Sequence, residues 1–202
     1  MEARATASAG VDPREDELVA QAQEGNGFAF EELVRRYQQR VYAVARRIVR
    51  RHDLADDVVQ EAFVRAHQHL SRFERGRPFG PWICRIAANL AVSQWRSPEA
   101  RREEPLPEGH AETPSRAPDA LQGVLDGEAG HVLSRALDAL PAEQRAVFVL
   151  RTSEELSYKE IAEALSISEG TVMSRLFRAR ERLRAALLPY LGPALKRAGG
   201  RT

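Results

Sequence analysis

Between residues 97 and 127 this chain loses the means to build a core. The stretch SPEARREEPLPEGHAETPSRAPDA holds Pro98, Pro105, Pro107, Pro114 and Pro118 and almost no large apolar side chain. Proline removes backbone donors, and a segment poor in apolar groups cannot offset the entropy of ordering itself. The sequence therefore predicts an extended, mostly disordered linker over 97–127, net charge −4, that divides 202 residues into two small modules.

Both modules read as helical. Leu33, Tyr37, Val41, Val44 and Ile48 recur at steps of three and four, and Leu54, Val58, Ala62, Ala66 and Leu70 repeat the pattern after Asp53, a candidate cap. Gly76, Pro78, Gly80 and Pro81 punctuate a loop, and Trp82, Ile83, Ile86, Ala87, Leu90 and Ala91 follow at helical spacing. Beyond the linker, Val132, Leu133, Leu137 and Leu140 form one face, and Pro141 sits where a helix opens. Ser157 with Glu160 makes a capping box for Tyr158–Leu165. No segment alternates like a strand, so the expected class is all-α, two small helical domains joined by a flexible linker. The expected boundaries are a disordered terminus at 1–13, a first domain at 14–96, a second at 128–190 and a flexible tail at 191–202, with the last helix running from about Glu169 to Leu188 and Gly192 and Pro193 marking the frayed tail.

Composition excludes several classes. No window approaches the ~18 uninterrupted apolar residues of a membrane span, and the first residues lack a basic start followed by an apolar run, so no secretory signal is expected. Cys84 is the lone cysteine, which excludes an internal disulfide and a clustered-cysteine zinc site; it reads as a small core residue. The five histidines have no ligand spacing. No metal, no cofactor and no small-molecule substrate are expected, and a reducing cytoplasm is the default location.

The net charge of +1 conceals two basic blocks. Residues 31–96 carry thirteen Arg and seven acids, and residues 171–202 carry eight basic groups and one acid. Two nucleic-acid contacts on one chain would distribute charge this way, as would solvated basic helix faces. The 158–183 segment favours the former. Ile161, Ala162 and Leu165 lie on one short helix, a turn follows, and Val172 and Leu176 begin a longer one, which is the spacing of a helix–turn–helix. Arginine is confined to the second helix, where Thr171, Ser174, Arg175, Arg178 and Arg182 fall outside the apolar stripe.

LSYKEIAEALSISEGTVMSRLFRARERLR, with ALDALPAEQRAVFVLR before it, resembles the fourth domain of bacterial sigma factors. AFEELVRRYQQRVYAVARRIV, DLADDVVQEAFVRAHQHLSRF and PFGPWICRIAANLAVSQWR resemble the second domain. Two such domains and a short linker resemble an extracytoplasmic-function (ECF, group IV) sigma factor.

The resemblance implies a non-enzymatic subunit that binds core RNA polymerase through its β and β′ subunits and recognises promoter DNA. It implies an anti-sigma factor as a further partner, often one tethered to the membrane, and a monomer when unbound. Asp57, Gln60, Glu61 and Arg65 share a helical stripe and match the face that binds the β′ clamp helices; a merely solvated face is the alternative. Phe73, Arg75, Arg77 and Asn89 match the loop and helix that capture a base flipped from the −10 element. Phe73 could instead be core, and Asn89 could bond its own helix. Ser174, Phe177 and Arg178 match contacts to the −35 element, with Arg182 expected on phosphate; Phe177 could instead pack inside. The acidic linker resembles the segment that enters the polymerase cleft. Two departures stand out: Met173 replaces a usually basic residue, and Ser93-Gln94-Trp95-Arg96 replaces an acidic-then-basic pair. The rival reading from residues alone is a stand-alone dimeric helix–turn–helix regulator, which would need a dimer interface.

Overall fold

A computed structural model describes residues 12–96 and 128–198. The expectations for residues 1–11, for the 97–127 linker and for 199–202 lie outside the described residues. The first module comprises α1 (Pro13–Gln23), α2 (Gly27–Val49), α3 (His52–His69), a short 3-10 turn (Leu70–Arg72) and α4 (Phe79–Arg96). The second comprises α5 (Glu128–Asp138), α6 (Ala142–Thr152), α7 (Tyr158–Leu165) and α8 (Glu169–Ala198). No strand occurs among the described residues.

Local chemistry explains the helix starts. The Asp12 carboxylate accepts from the Arg14 amide at 3.0 Å, with Pro13 following it, so α1 begins earlier than the apolar pattern indicates. Asn26 caps α2 through the Phe28 and Ala29 amides. The Ser157–Glu160 capping box forms as expected. Asp53 does not cap α3; Arg51 occupies that position, and Asp53 sits inside the first turn bound to the Arg51 guanidinium. That bond holds the Asp53 carboxyl down at about 2.

α2 is the spine of the first module. Leu33, Tyr37, Val41, Val44 and Ile48 are all buried, packed against α1, α3 and α4. α8 overruns its expected end near Leu188 and continues through Gly192 and Pro193 to Ala198. Pro193 therefore lies inside the helix, where a proline loses one hydrogen bond and crowds the carbonyl four residues back.

The modules do not hang apart. α2 and α4 pack on α6, and α4 packs on α7, so one apolar cluster runs from Val41 and Ile83 through Val147 and Leu150 to Ile161 and Leu176. Charged groups ring this joint. Arg40 grips Glu154 at 2.7 Å, with Glu154 only 3% exposed. Arg50 pairs with Asp138 at 3.2 Å, Arg85 pairs with Glu160, and Arg47 donates to the Ser153 hydroxyl at 3.1 Å. In each ion pair the arginine belongs to the first module and the acid to the second. Cys84 is fully buried at this joint, and burial pushes its thiol far above the ordinary range, with the Glu154 carboxylate adding to the effect.

Candidate polymerase and nucleic-acid interfaces

Three surfaces carry the residues singled out in the sequence. The first is α3. Asp57, Gln60 and Arg65 are exposed and Glu61 is half-buried, along one stripe. Arg65 Nε reaches Glu61 at 2.6 Å, one helical turn back. Beside the stripe runs a groove of about 550 Å³ between α2 and α3, whose apolar wall includes Phe30, Val34, Val59, Phe63 and Val64. The Phe30 and His67 rings meet edge to face there at 4.9 Å. Sequence reasoning found the polar rim and missed the groove. Val64 is its clearest signal, a large apolar group on a face that the core does not use.

The second surface is the 73–79 loop and α4. Phe73 is 7% exposed and packs on Trp82 at 4.8 Å and on Phe79 at 5.9 Å, so it is core in this structure and presents no face for a base. A loop beginning on a short turn has to anchor itself, and an aromatic group does so by burial. Arg75 and Arg77 are exposed; Arg77 reaches Glu74 at 2.6 Å, and Arg75 donates to the Gln23 side-chain carbonyl at 2.8 Å.

No sequence pattern assigns a role to α1, yet α1 holds this loop. Gln23 Nε2 donates to the carbonyls of Leu70 and Phe73, both at 2.9 Å. The Gly76 amide, at φ +79°, donates to Asp16 at 2.7 Å. The buried Glu15 carboxylate accepts from the Phe79 amide at 2.7 Å, satisfying the start of α4, and from the Tyr37 hydroxyl. Burial and this carboxylate raise the Tyr37 hydroxyl well above the ordinary tyrosine range. Gly80 completes the brace: a Cβ there would stand 2.7 Å from Tyr37 Cε1 and 2.8 Å from Arg40 Nη1. Glu15 and Asp16 in the first turns of α1 look like ordinary solvated helix charge in the sequence, because their loop partners lie about 60 residues on.

Asn89 is exposed but does not look into open solvent. It lines a cleft of about 230 Å³ with Trp82, Arg85 and Ile86 on one side and Glu163 and Ala164 of α7 on the other. The structure thus brings Asn89 beside Trp82, and through Trp82 to Phe73, but leaves Arg75 and Arg77 outside that cleft.

The third surface is the helix–turn–helix. Val172 is fully buried in the α7–α8 angle, and Ser166 makes the left-handed turn residue at φ 52°. Burial opposes ionisation of Glu160, but the Ser157 amide and hydroxyl and the Arg85 guanidinium outweigh it and hold its carboxyl below the usual range. On α8 the expected readers divide. Arg175 turns inward; its side chain is 19% exposed and reaches Glu143 of α6 at 3.5 Å. Thr171 is half-buried and shares a hydrogen bond with the Ser168 hydroxyl at 2.9 Å, and the Ser174 hydroxyl donates to the Thr171 carbonyl at 3.0 Å. Phe177 is 66% exposed, so it is not a core residue. Arg178 and Arg182 are exposed and carry no ion pair among the described residues. Met173, next to Ser174, is 56% exposed.

Two family models match the chain in the same order as these surfaces: "Sigma-70 region 2" over residues 33–102 and "Sigma-70, region 4" over residues 131–183. The ECF RNA polymerase sigma factor SigE of Mycolicibacterium smegmatis is 38% identical over 162 residues, 80% of this chain and 63% of that one. The ECF RNA polymerase sigma-E factor of Escherichia coli K12 is 37% identical over 183 residues, 86% of this chain and 94% of that one. The sigma factor RpoE of Bartonella quintana, solved with the anti-sigma factor NepR, superimposes with a TM-score of 0.59 at 27% identity, covering 78% of this chain and 96% of that one. Near-complete alignment at this identity, with both conserved regions in sequence order, places the chain in one family: it belongs to the ECF RNA polymerase sigma factors of the sigma-70 class.

Proposed function

We propose that the three surfaces divide the work of a promoter-specificity subunit. The α3 stripe and its groove dock on the β′ clamp helices of core RNA polymerase. The braced 73–79 loop and α4 engage the −10 element as it melts, and α8 lies in the major groove of the −35 element. No catalytic role is assigned to the chain, and its work is done in the cytoplasm. Among the described residues no helix is long and apolar enough to cross a membrane, and no group of three or more His, Cys, Asp or Glu could hold a metal ion.

The observation that carries this reading is the outward face of α8. Arg178 and Arg182 stand unpaired on the second helix of a helix–turn–helix, in a chain that aligns with sigma-E factors over nearly its whole length. Unpaired arginines on such a helix are groups that phosphate and guanine can take up without first breaking an internal bond.

The closed joint bears on regulation. α7 stands across the cleft that Asn89 lines, and its withdrawal, with the Arg85–Glu160 pair parting, widens the access of an extruded base to Asn89. A partner that binds the closed form better than the open one would hold the protein inactive by population shift. An anti-sigma factor, like the NepR bound to the Bartonella relative, is such a partner.

Run-off transcription tests the reading directly. Core polymerase plus this chain should transcribe from the chain's own upstream region, and core polymerase alone should not. Absence of a specific transcript, combined with dimeric binding to a palindrome without polymerase, would overturn it.

A further inference from the structure

The polar groups at the start of α8 are largely occupied by the protein itself. Ser174 gives its proton to the Thr171 carbonyl at 3.0 Å, Thr171 shares a bond with Ser168 at 2.9 Å, and Arg175 turns to Glu143 at 3.5 Å. Beside these groups α8 also presents an apolar strip outward. Met173 and Phe177, 56% and 66% exposed, lie four residues apart and form one strip on the helix. Arg178, next in sequence to Phe177, is exposed and carries no ion pair among the described residues.

We propose that Met173, with Phe177 beside it, is a specificity-determining residue that reads thymine methyl groups in the major groove of the upstream element. The proposal rests on the assignment of α8 to promoter DNA and deepens it. Charge selects the occupant. Residues 171–202 hold eight basic groups against one acid, so the strip is flanked by groups that seek phosphate. The thymine C5-methyl is the apolar feature that a base edge displays in the major groove. Dimensions agree: two residues four apart are separated by about 6 Å along a helix, and base pairs by about 3.4 Å, so the strip spans roughly two steps. Methionine suits the task because its unbranched thioether chain adapts to a shallow contact. A lysine or arginine at 173 would place charge where this chain places a methyl-sized apolar surface.

The test uses holoenzyme assembled from core polymerase and the full chain. Holoenzyme first selects duplexes from a pool randomised over the upstream element, and each thymine of the selected duplex is then replaced singly by uracil, which removes only the methyl group. At one or two adjacent positions uracil should weaken binding about fourfold, the value of one buried methyl-sized group. Met173→Ala should erase the thymine–uracil difference at one of those positions, and Met173→Leu should retain it. Met173→Arg should lose the difference and steepen the salt dependence. The residue is exposed, so these variants keep the fold, which unchanged melting temperatures check. A flat uracil scan on a selected duplex overturns the methyl-reading role while leaving promoter reading intact. Undiminished thymine preference in Met173→Ala also overturns it. Failure of the holoenzyme to select any upstream sequence overturns promoter reading by α8 and this proposal together.

Discussion

Two arginine-rich regions of this protein meet opposite fates. In the first module Arg35, Arg36, Arg40, Arg50, Arg65, Arg77 and Arg85 each face a carboxylate, some within the same helix and some across the joint between modules. On α8, Arg178 and Arg182 face none. Both windows are basic by net charge, yet the first pairs many of its arginines with carboxylates, whereas the second pairs Arg175 and Arg184 and leaves Arg178 and Arg182 facing outward. The ratio already stood in the sequence, thirteen Arg to seven acids against eight basic groups to one acid. A net charge counts surplus; it does not say whether the paired remainder holds the fold together. Nucleic-acid affinity follows the unpaired groups, because only these release counterions from DNA without first breaking a protein bond.

The sharpest way to break this comparison is to attack the brace under the first module's loop. Glu15→Ala should destabilise the protein by about 3 kcal/mol, because the Phe79 amide and the Tyr37 hydroxyl lose a buried acceptor together. Urea unfolding measures it; a loss below about 0.5 kcal/mol would mean that the loop is not held from α1.

Arg40→Ala should cost about 1–3 kcal/mol, since it strands the Glu154 carboxylate in a buried site. It should also open the joint, read as faster proteolysis or a larger radius in solution. Acid should act in the same direction at Glu160. Its carboxyl is held below the ordinary 4.5, so its contribution is present above that pH and is lost as pH falls through the lowered value. Hydrogen exchange in α7 across pH 3–6 should show that loss, and Glu160→Gln should abolish the dependence.

On the second module the effects move from stability to binding. Arg178→Ala should cost about 1–3 kcal/mol on the cognate upstream element and relax preference at one base pair. Arg182→Ala should weaken all sequences alike and lower the salt slope by about 1. Equal behaviour of the two variants in a competition series would erase the distinction between base and phosphate contacts.

Smallest in stability is Asp57→Arg on the exposed stripe of α3. It should change unfolding free energy by no more than about 0.5 kcal/mol while weakening core polymerase binding in a fluorescence titration. Unchanged polymerase affinity would return that stripe to a solvated face.

The sequence by itself determined the helical class, the spine of α2, the capping box at Ser157 and the helix–turn–helix sealed by Val172. Each rests on contacts within one helix or between neighbours in the chain, and such contacts leave a period or a cap to read. It also located the residues of the candidate interfaces, though not which way each would face. Tertiary structure decided that Phe73 anchors the loop instead of presenting it, that Arg175 turns to Glu143, and that Asn89 lines a cleft facing α7. It decided that α1 holds the 73–79 loop and that an apolar groove runs beside the α3 stripe. Apart from Phe73, whose partners are close in sequence, these outcomes depend on partners more than 30 residues away along the chain, and the Arg40–Glu154 pair at the joint spans 114 residues. An ion pair at that separation has no periodicity. Until the chain folds, each of its members is indistinguishable from a charge in water.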